Sequence, residues 1–184
     1  MIFLGLGSNL SSIYGDRFHN INLAVSHLNN YGVQIIKKSG FYETPSYPDK
    51  KNPKFVNIVI KIKTLLNPVD LLTLIISIEK KIGRKRTLKN DPRTCDIDII
   101  DFNGLVEIHS FNKEKFEIPH KELSKRNFVL FPLHEIEPKW KHPKTKETVN
   151  ELINKLSSDK KKSILIIKEN WYTIKMLNQE DLIK

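Results

Sequence analysis

Asp96-Ile97-Asp98 is the stretch whose residue types and spacing most directly invite chemistry. On a strand, residues two apart share a face about 7 Å from one another, so both carboxylates stand side by side. Like charges held that close need cations or water between them. Mg2+ suits the pair, because it favours oxygen ligands and commonly takes one or two carboxylates together with substrate phosphates. Arg93 lies three residues before Asp96, and Arg84 and Arg86 sit on the segment leading in. Guanidinium groups grip phosphate bidentately, so acids for a metal beside arginines for phosphate describe a polyphosphate-transfer site. Two plainer readings stay open at this point: acids on a solvated strand face, and a short ion-pair network.

A second cluster is Ile118-Pro119-His120-Lys121, followed by Arg126-Asn127-Phe128. His120 alone reads as a packed or solvated imidazole. With two cations and an aromatic close behind, it could contact phosphate. The glycine turn Gly5-Leu6-Gly7-Ser8-Asn9 fits no Walker pattern, since no Gly-Lys-Ser/Thr follows, and by itself it is a strand–helix turn.

The elements that must carry these residues follow from periodicity. Ile2-Phe3-Leu4 reads as a short buried strand. Phe18, Ile21, Val25 and Leu28 form one stripe of an amphipathic helix. Val33–Tyr42 reads as a strand ended by Thr44-Pro45, because proline cannot donate to a ladder. Phe55–Thr64 alternates, with Val56, Ile58, Ile60 and Ile62 on one face and Asn57, Val59 and Lys61 on the other. Asn67-Pro68-Val69-Asp70 starts a second helix, carried by Leu71, Ile75, Ile78 and Ile82 and fading near Gly83. Thr94–Phe102 is again a strand, with Cys95, Ile97 and Ile99 facing away from Asp96 and Asp98. The order is a ferredoxin-like βαββαβ core of the α+β class, with two helices on one face of an antiparallel sheet and the site on the other.

Composition narrows the classes. The chain has 184 residues, 39% of them hydrophobic, enough for one core, and a formal charge of +10. The positive surplus is spread along the chain and forms no basic arm. Its longest uncharged, mainly apolar run, Leu71–Ile78, is far short of the ~20 residues of a membrane span. The N-terminus lacks the pattern of a signal peptide. Cys95 is the sole cysteine, which excludes an intramolecular disulfide and suggests a reducing compartment. The expectation is a cytoplasmic monomer acting on small molecules, with neither nucleic acid nor membrane as partner.

These residues resemble one family, the 6-hydroxymethyl-7,8-dihydropterin pyrophosphokinases of folate synthesis. The similarity runs through Gly5-Leu6-Gly7-Ser8-Asn9, Phe41-Tyr42-Glu43-Thr44-Pro45, Phe55-Val56-Asn57, Pro92-Arg93-Thr94-Cys95-Asp96-Ile97-Asp98, Ile118-Pro119-His120 and Arg126-Asn127-Phe128-Val129-Leu130. It spans Gly5 to Pro138 and implies one pyrophosphokinase domain over 1–184, with a family-like core 1–138 and a variable extension 139–184. The resemblance implies transfer of pyrophosphate from ATP to the pterin hydroxymethyl oxygen, with Asp96 and Asp98 holding two Mg2+ ions. It gives Arg84, Arg86 and Arg93 catalytic roles. Glu79, Arg93, Ile99, His120, Lys121 and Arg126 are implied to bind ATP, and Thr44, Pro45, Tyr47, Phe55, Asn57 and Phe128 the pterin.

The chain departs from the family pattern in places. Asn90 and Asp91 stand where an aromatic and a glycine are usual, and Lys121 stands where a tyrosine is common. Trp140 and Trp171 lie elsewhere. In the extension, Val149, Leu152, Ile153 and Leu156 suggest a helix, and Ser163–Ile167 a strand that could extend the sheet edge. The competing class is an RRM-like RNA-binding module of the same element order. That module needs a string of stacking aromatics, and Phe55–Thr64 offers one.

Overall fold

A computed structural model describes residues 1–85, 91–111 and 114–167. The first strand, β1 (Ile2–Ser8), leads into α1 (Arg17–Asn30), whose start is fixed by Asp16. The Asp16 carboxylate accepts from the Phe18 and His19 amides at 3.1 and 3.0 Å, taking two of the donors a helix start leaves unpaired. Asn67 does the same for α2 (Pro68–Lys81), with Pro68 in the first turn. That helix ends at Gly83, whose φ of +88° is a left-handed conformation open to glycine.

β4 (Phe55–Lys63) and β5 (Asp96–Phe102) flank β1 antiparallel, and β3 (Phe41–Thr44) lies on the far side of β4. The order β5-β1-β4-β3 is that of the ferredoxin-like core, and β2 (Gln34–Lys38) also pairs with β4. The alternation of β4 sorts two cores. Ile58 and Ile60 meet α1 and α2 through Ile21, Leu28, Ile75 and Ile78. Val59 faces the other way, toward Phe3 and Ile100.

The segment Val33–Tyr42, expected as one strand, is two. Ser39 breaks it: its Oγ accepts from the Val59 amide at 3.0 Å, and Gly40 turns its own amide to the Glu135 carboxylate at 3.0 Å. β5 starts at Asp96 rather than Thr94, because the Arg93 and Thr94 carbonyls are taken by Asn9, Leu10 and Ser8 instead of by a ladder.

Beyond β5 come a hairpin, β6 (Glu107–Phe111) with β7 (Glu114–Ile118), and α3 (Asn127–Ile136). None of these was legible as an element. α3 covers part of the sheet face opposite α1 and α2, packing Val129, Leu130 and Leu133 on Phe3, Val59 and Ile100. The site face is therefore shared between α3 and the acids. The extension forms α4 (Val149–Lys155), with a capping box between Thr148 and Glu151, then α5 (Ser158–Lys162) and β8 (Leu165–Ile167). β8 pairs antiparallel with β3 and extends the sheet edge. Trp140, fully buried, donates its indole N–H to Asp101 at 2.8 Å and so fastens the extension to β5.

Candidate active site

The floor of the site is set by register. Gly7 of β1 lies between Asn57 on β4 and Asp96 on β5, and Gly5 lies between Val59 and Asp98. Cross-strand partners share a face, so the two glycines leave that floor without side chains between the amide and the acids. A Cβ at position 7 would stand 3.0 Å from Asn57 Oδ1 and 3.6 Å from the Phe55 ring.

Asp96 and Asp98 share the face, as their spacing requires, with side chains 21% and 32% exposed. Both are thus reachable. Arginines already meet them: Arg84 Nη1 lies 2.5 Å and Arg93 Nη2 2.7 Å from the two oxygens of Asp96, and Arg126 Nη1 donates to Asp98 at 2.8 Å. Burial opposes ionisation of Asp96, but the Arg84 and Arg93 guanidiniums outweigh it and hold the carboxyl below its usual range. The ion-pair network and the paired acids of the sequence are one arrangement.

Glu79, expected near the nucleotide, is buried at 2% exposure in α2. Its carboxylate accepts from the Ile97 amide at 2.8 Å and pairs with Arg84. It aims Arg84 and seats the start of β5, and so acts through its neighbours. Ile99 turns its side chain into the helix-side core, so only its backbone is left to face a ligand.

His120 accepts from the Glu122 amide at Nδ1, 3.1 Å away, which places the ring proton on Nε2. Burial lowers its pKa; Asp98 opposes that and Arg126 adds to it. The imidazole is neutral at pH 7. Its neutral form costs no stability above the unfolded-state value of about 6.5, and stability falls below that pH as the unfolded chain takes the proton first. In NMR titration the His120 resonances are expected to move below about pH 6.5; a midpoint above 7 would contradict the burial.

On the other side, Thr44 and Asn57 are both buried. The Asn57 amide nitrogen donates to the Tyr42 carbonyl at 3.3 Å and the Thr44 hydroxyl at 3.1 Å. With its nitrogen engaged, the amide oxygen is the atom left for a ligand. Phe55 lies under the Arg93 guanidinium, 5.0 Å from its ring centre, and Phe128 under that of Arg126 at 5.5 Å. Tyr47, by contrast, is 83% exposed, and Pro45 and Lys121 are also exposed. Arg86, Asn90 and Trp171 lie outside the described residues.

A model of the family 7,8-dihydro-6-hydroxymethylpterin-pyrophosphokinase (HPPK) matches residues 3–138. The chain belongs to this family. Among relatives named 2-amino-4-hydroxy-6-hydroxymethyldihydropteridine pyrophosphokinase, that of Aquifex aeolicus is 39% identical over 142 residues, covering 77% of this chain and 83% of its own. That of Bacillus subtilis is 38% identical, covering 73% and 76%. The folic acid synthesis protein fol1 of Schizosaccharomyces pombe is 37% identical over 85% of this chain, which spans only 20% of that protein's length. The chain spans 22% of the corresponding Dictyostelium discoideum protein. The wild-type HPPK-DHPS structure of Plasmodium falciparum, 20% identical, superposes with a TM-score of 0.66 over 92% of this chain and 47% of its own, showing the shared fold.

Two residues of this HPPK chain escaped the sequence reading as parts of the site. Ser8 Oγ donates to the Thr94 carbonyl at 2.7 Å. Asn9, 3% exposed, gives Nδ2 to the Pro53 carbonyl at 3.0 Å and takes the Arg93 amide on Oδ1 at 2.7 Å. The Gly-Ser-Asn turn thus buckles the arginine segment to the loop before β4. The glycines drew attention to the turn, but the spacing carried no hint of partners 44 and 84 residues away.

The donor set fits a hard divalent ion. Among the described residues no three His, Cys, Asp or Glu side chains converge, and the carboxylates that share the floor of the site are those of Asp96 and Asp98. An ion held that way keeps most of its coordination for phosphate oxygens and water, which is the habit of Mg2+.

Proposed function

We propose that the chain transfers the β,γ-pyrophosphoryl group of ATP to the hydroxymethyl oxygen of 6-hydroxymethyl-7,8-dihydropterin, releasing AMP. The hydroxymethyl oxygen forms a bond to the β-phosphorus, the bridge to the α-phosphate breaks and leaves on AMP, and the hydroxyl proton is given up. The observation that carries the reading is the face shared by Asp96, Asp98 and Asn57 across a glycine floor, with three arginines on the acids.

Asp96 and Asp98 would hold Mg2+, two ions in this reading, which supplies Lewis-acid charge at the phosphate oxygens when bound. Arg84 and Arg93 turn from Asp96 to the phosphates, with Arg86 joining them from the sequence expectation. Arg126 and the Nε2–H of His120 grip the triphosphate beside Asp98. Buried Asn57 offers its amide oxygen to an N–H of the pterin edge, held in place by Tyr42 and Thr44. Phe55 and Phe128 flank the ring, gaining about 1 kcal/mol from stacking. The same face argues against the RNA-binding alternative, since its acids repel a phosphate backbone.

Residues 1–184 act as one catalytic unit, a monomer of the cytoplasm. The buried Cys95 accords with a reducing compartment, and among the described residues no helix is long and apolar enough to cross a membrane.

Two experiments bear on it directly. Incubation with ATP, Mg2+ and the hydroxymethyl pterin is expected to yield AMP; ADP in its place would overturn the assignment. Gly7→Ala is expected to weaken pterin binding about tenfold by pressing on the Asn57 amide, a displaced hydrogen bond costing about 1 kcal/mol or more, and to leave ATP binding nearly unchanged. Equal losses for the two ligands in calorimetry would count against Asn57 as the pterin reader.

A further inference from the structure

Asn127 stands between Arg126 and Phe128, two residues that the proposed function uses. It is 8% exposed. Oδ1 accepts from the Phe128 amide at 2.8 Å, while Nδ2 donates to the Lys160 carbonyl at 2.6 Å and the Ser163 hydroxyl at 3.2 Å. Lys160 answers by donating its Nζ to the Lys125 carbonyl at 2.8 Å. The turn that closes α5 therefore grips the first turn of α3. That turn belongs to the extension, beyond the family match that stops at residue 138.

The grip falls where α3 is weakest. A helix start leaves four amides unpaired, and Arg126, in the capping position, makes no side-chain cap bond. Asn127 satisfies one of those amides and is itself held from outside. The side chain of Arg126 reaches Asp98 from this turn and lies over the Phe128 ring. The extension also braces the other half of the site. β8 pairs Ile166 with Tyr42 and Leu165 with Glu43, on the strand whose Tyr42 carbonyl and Thr44 hydroxyl hold Asn57.

We infer that Asn127 is a positioning residue: through the Lys160 carbonyl and the Ser163 hydroxyl it fixes the first turn of α3, and with it the aim of Arg126 at the triphosphate and of Phe128 at the pterin ring. The α5–β8 segment becomes an arm of the active site. This rests on the function proposed above.

The test uses the full chain, with Mg-ATP binding followed by calorimetry and folding by thermal melting. Asn127→Ala removes every bond of the side chain. Asn127→Asp keeps an acceptor for the Phe128 amide but cannot donate to the Lys160 carbonyl, so it preserves the cap and breaks that tie. Its measurement is made with Ser163→Ala beside it, which removes the other partner without adding charge. Both Asn127 variants are expected to weaken ATP binding about tenfold, and in an Arg126→Ala background Asn127→Ala is expected to cost less than about twofold, since coupled residues are not additive. Should Asn127→Ala melt early, the aspartate variant decides. Wild-type affinity in the folded variants, or a tenfold loss that persists without Arg126, overturns the inference. ATP failing to bind the unaltered chain would instead overturn the functional reading and this inference with it.

Discussion

Asparagine in place of Asp96 or Asp98 is expected to lower kcat for pyrophosphoryl transfer by about 10³ or more, the scale set by removing one key electrostatic group from an active site. The substitution keeps size and one oxygen, so the Arg84, Arg93 and Arg126 contacts weaken without leaving a hole. At Asp96 a charged hydrogen-bond acceptor for two arginines is lost, worth about 1.5–3 kcal/mol in buried settings and less at this partial exposure. A lower melting temperature with a cooperative transition should therefore accompany the lost turnover. An ion-pair network without catalytic duty makes the opposite forecast, namely a less stable protein that still turns over. Near-normal AMP production by either variant would show that reading to be right.

Arg93→Ala is expected to cost about 10³ in kcat, comparable to removing an arginine that stabilises a phosphoryl-transfer transition state. The reason for expecting a chemical rather than a structural loss is local. Arg93 holds its segment in place through backbone atoms: its amide donates to Asn9 Oδ1, and its carbonyl accepts from the Asn9 and Leu10 amides. Those bonds survive in the alanine and lysine variants. Arg93→Lys should rescue little, because an ammonium is a point charge and cannot grip phosphate oxygens with a planar fork. Full recovery with lysine would reduce the role of Arg93 to bulk charge.

The sequence made visible whatever a single element encodes within itself. The Val56–Ile62 alternation sorted β4 onto two faces, and Asn67-Pro68 marked the start of α2, both as found. The acid pair was legible for the same reason, since Asp96 and Asp98 need only a strand to share a face. What stayed hidden depends on partners far away. Ser39 and Gly40 break a strand that looks continuous, because Val59 and Glu135 claim their hydrogen-bonding groups. α3 contains Pro132 and is apolar nearly all round, which blurs a helical stripe, and it is half sunk into a face that seemed free. Glu79 matched a position near the nucleotide, yet its burial against Arg84 and Ile97 could be seen only once the helix lay on β5.

The irregularity in β5 decides which face Asp101 takes. Phe3 pairs with Asp101 and Leu4 with Ile99, so Ile100 is an extra residue with no partner of its own on β1. Strict alternation would have turned Asp101 into the hydrocarbon between sheet and helices. With the extra residue it lies on the face of Phe3, bound to the Trp140 indole and the Gly104 amide. Deleting Ile100 would restore the plain ladder with Asp101 still opposite Phe3, at the cost of the Ile100 side chain in the core around Phe3 and Val59. In an indel scan this strand should therefore accept the loss of one residue at 99–100 with its downstream phase unchanged.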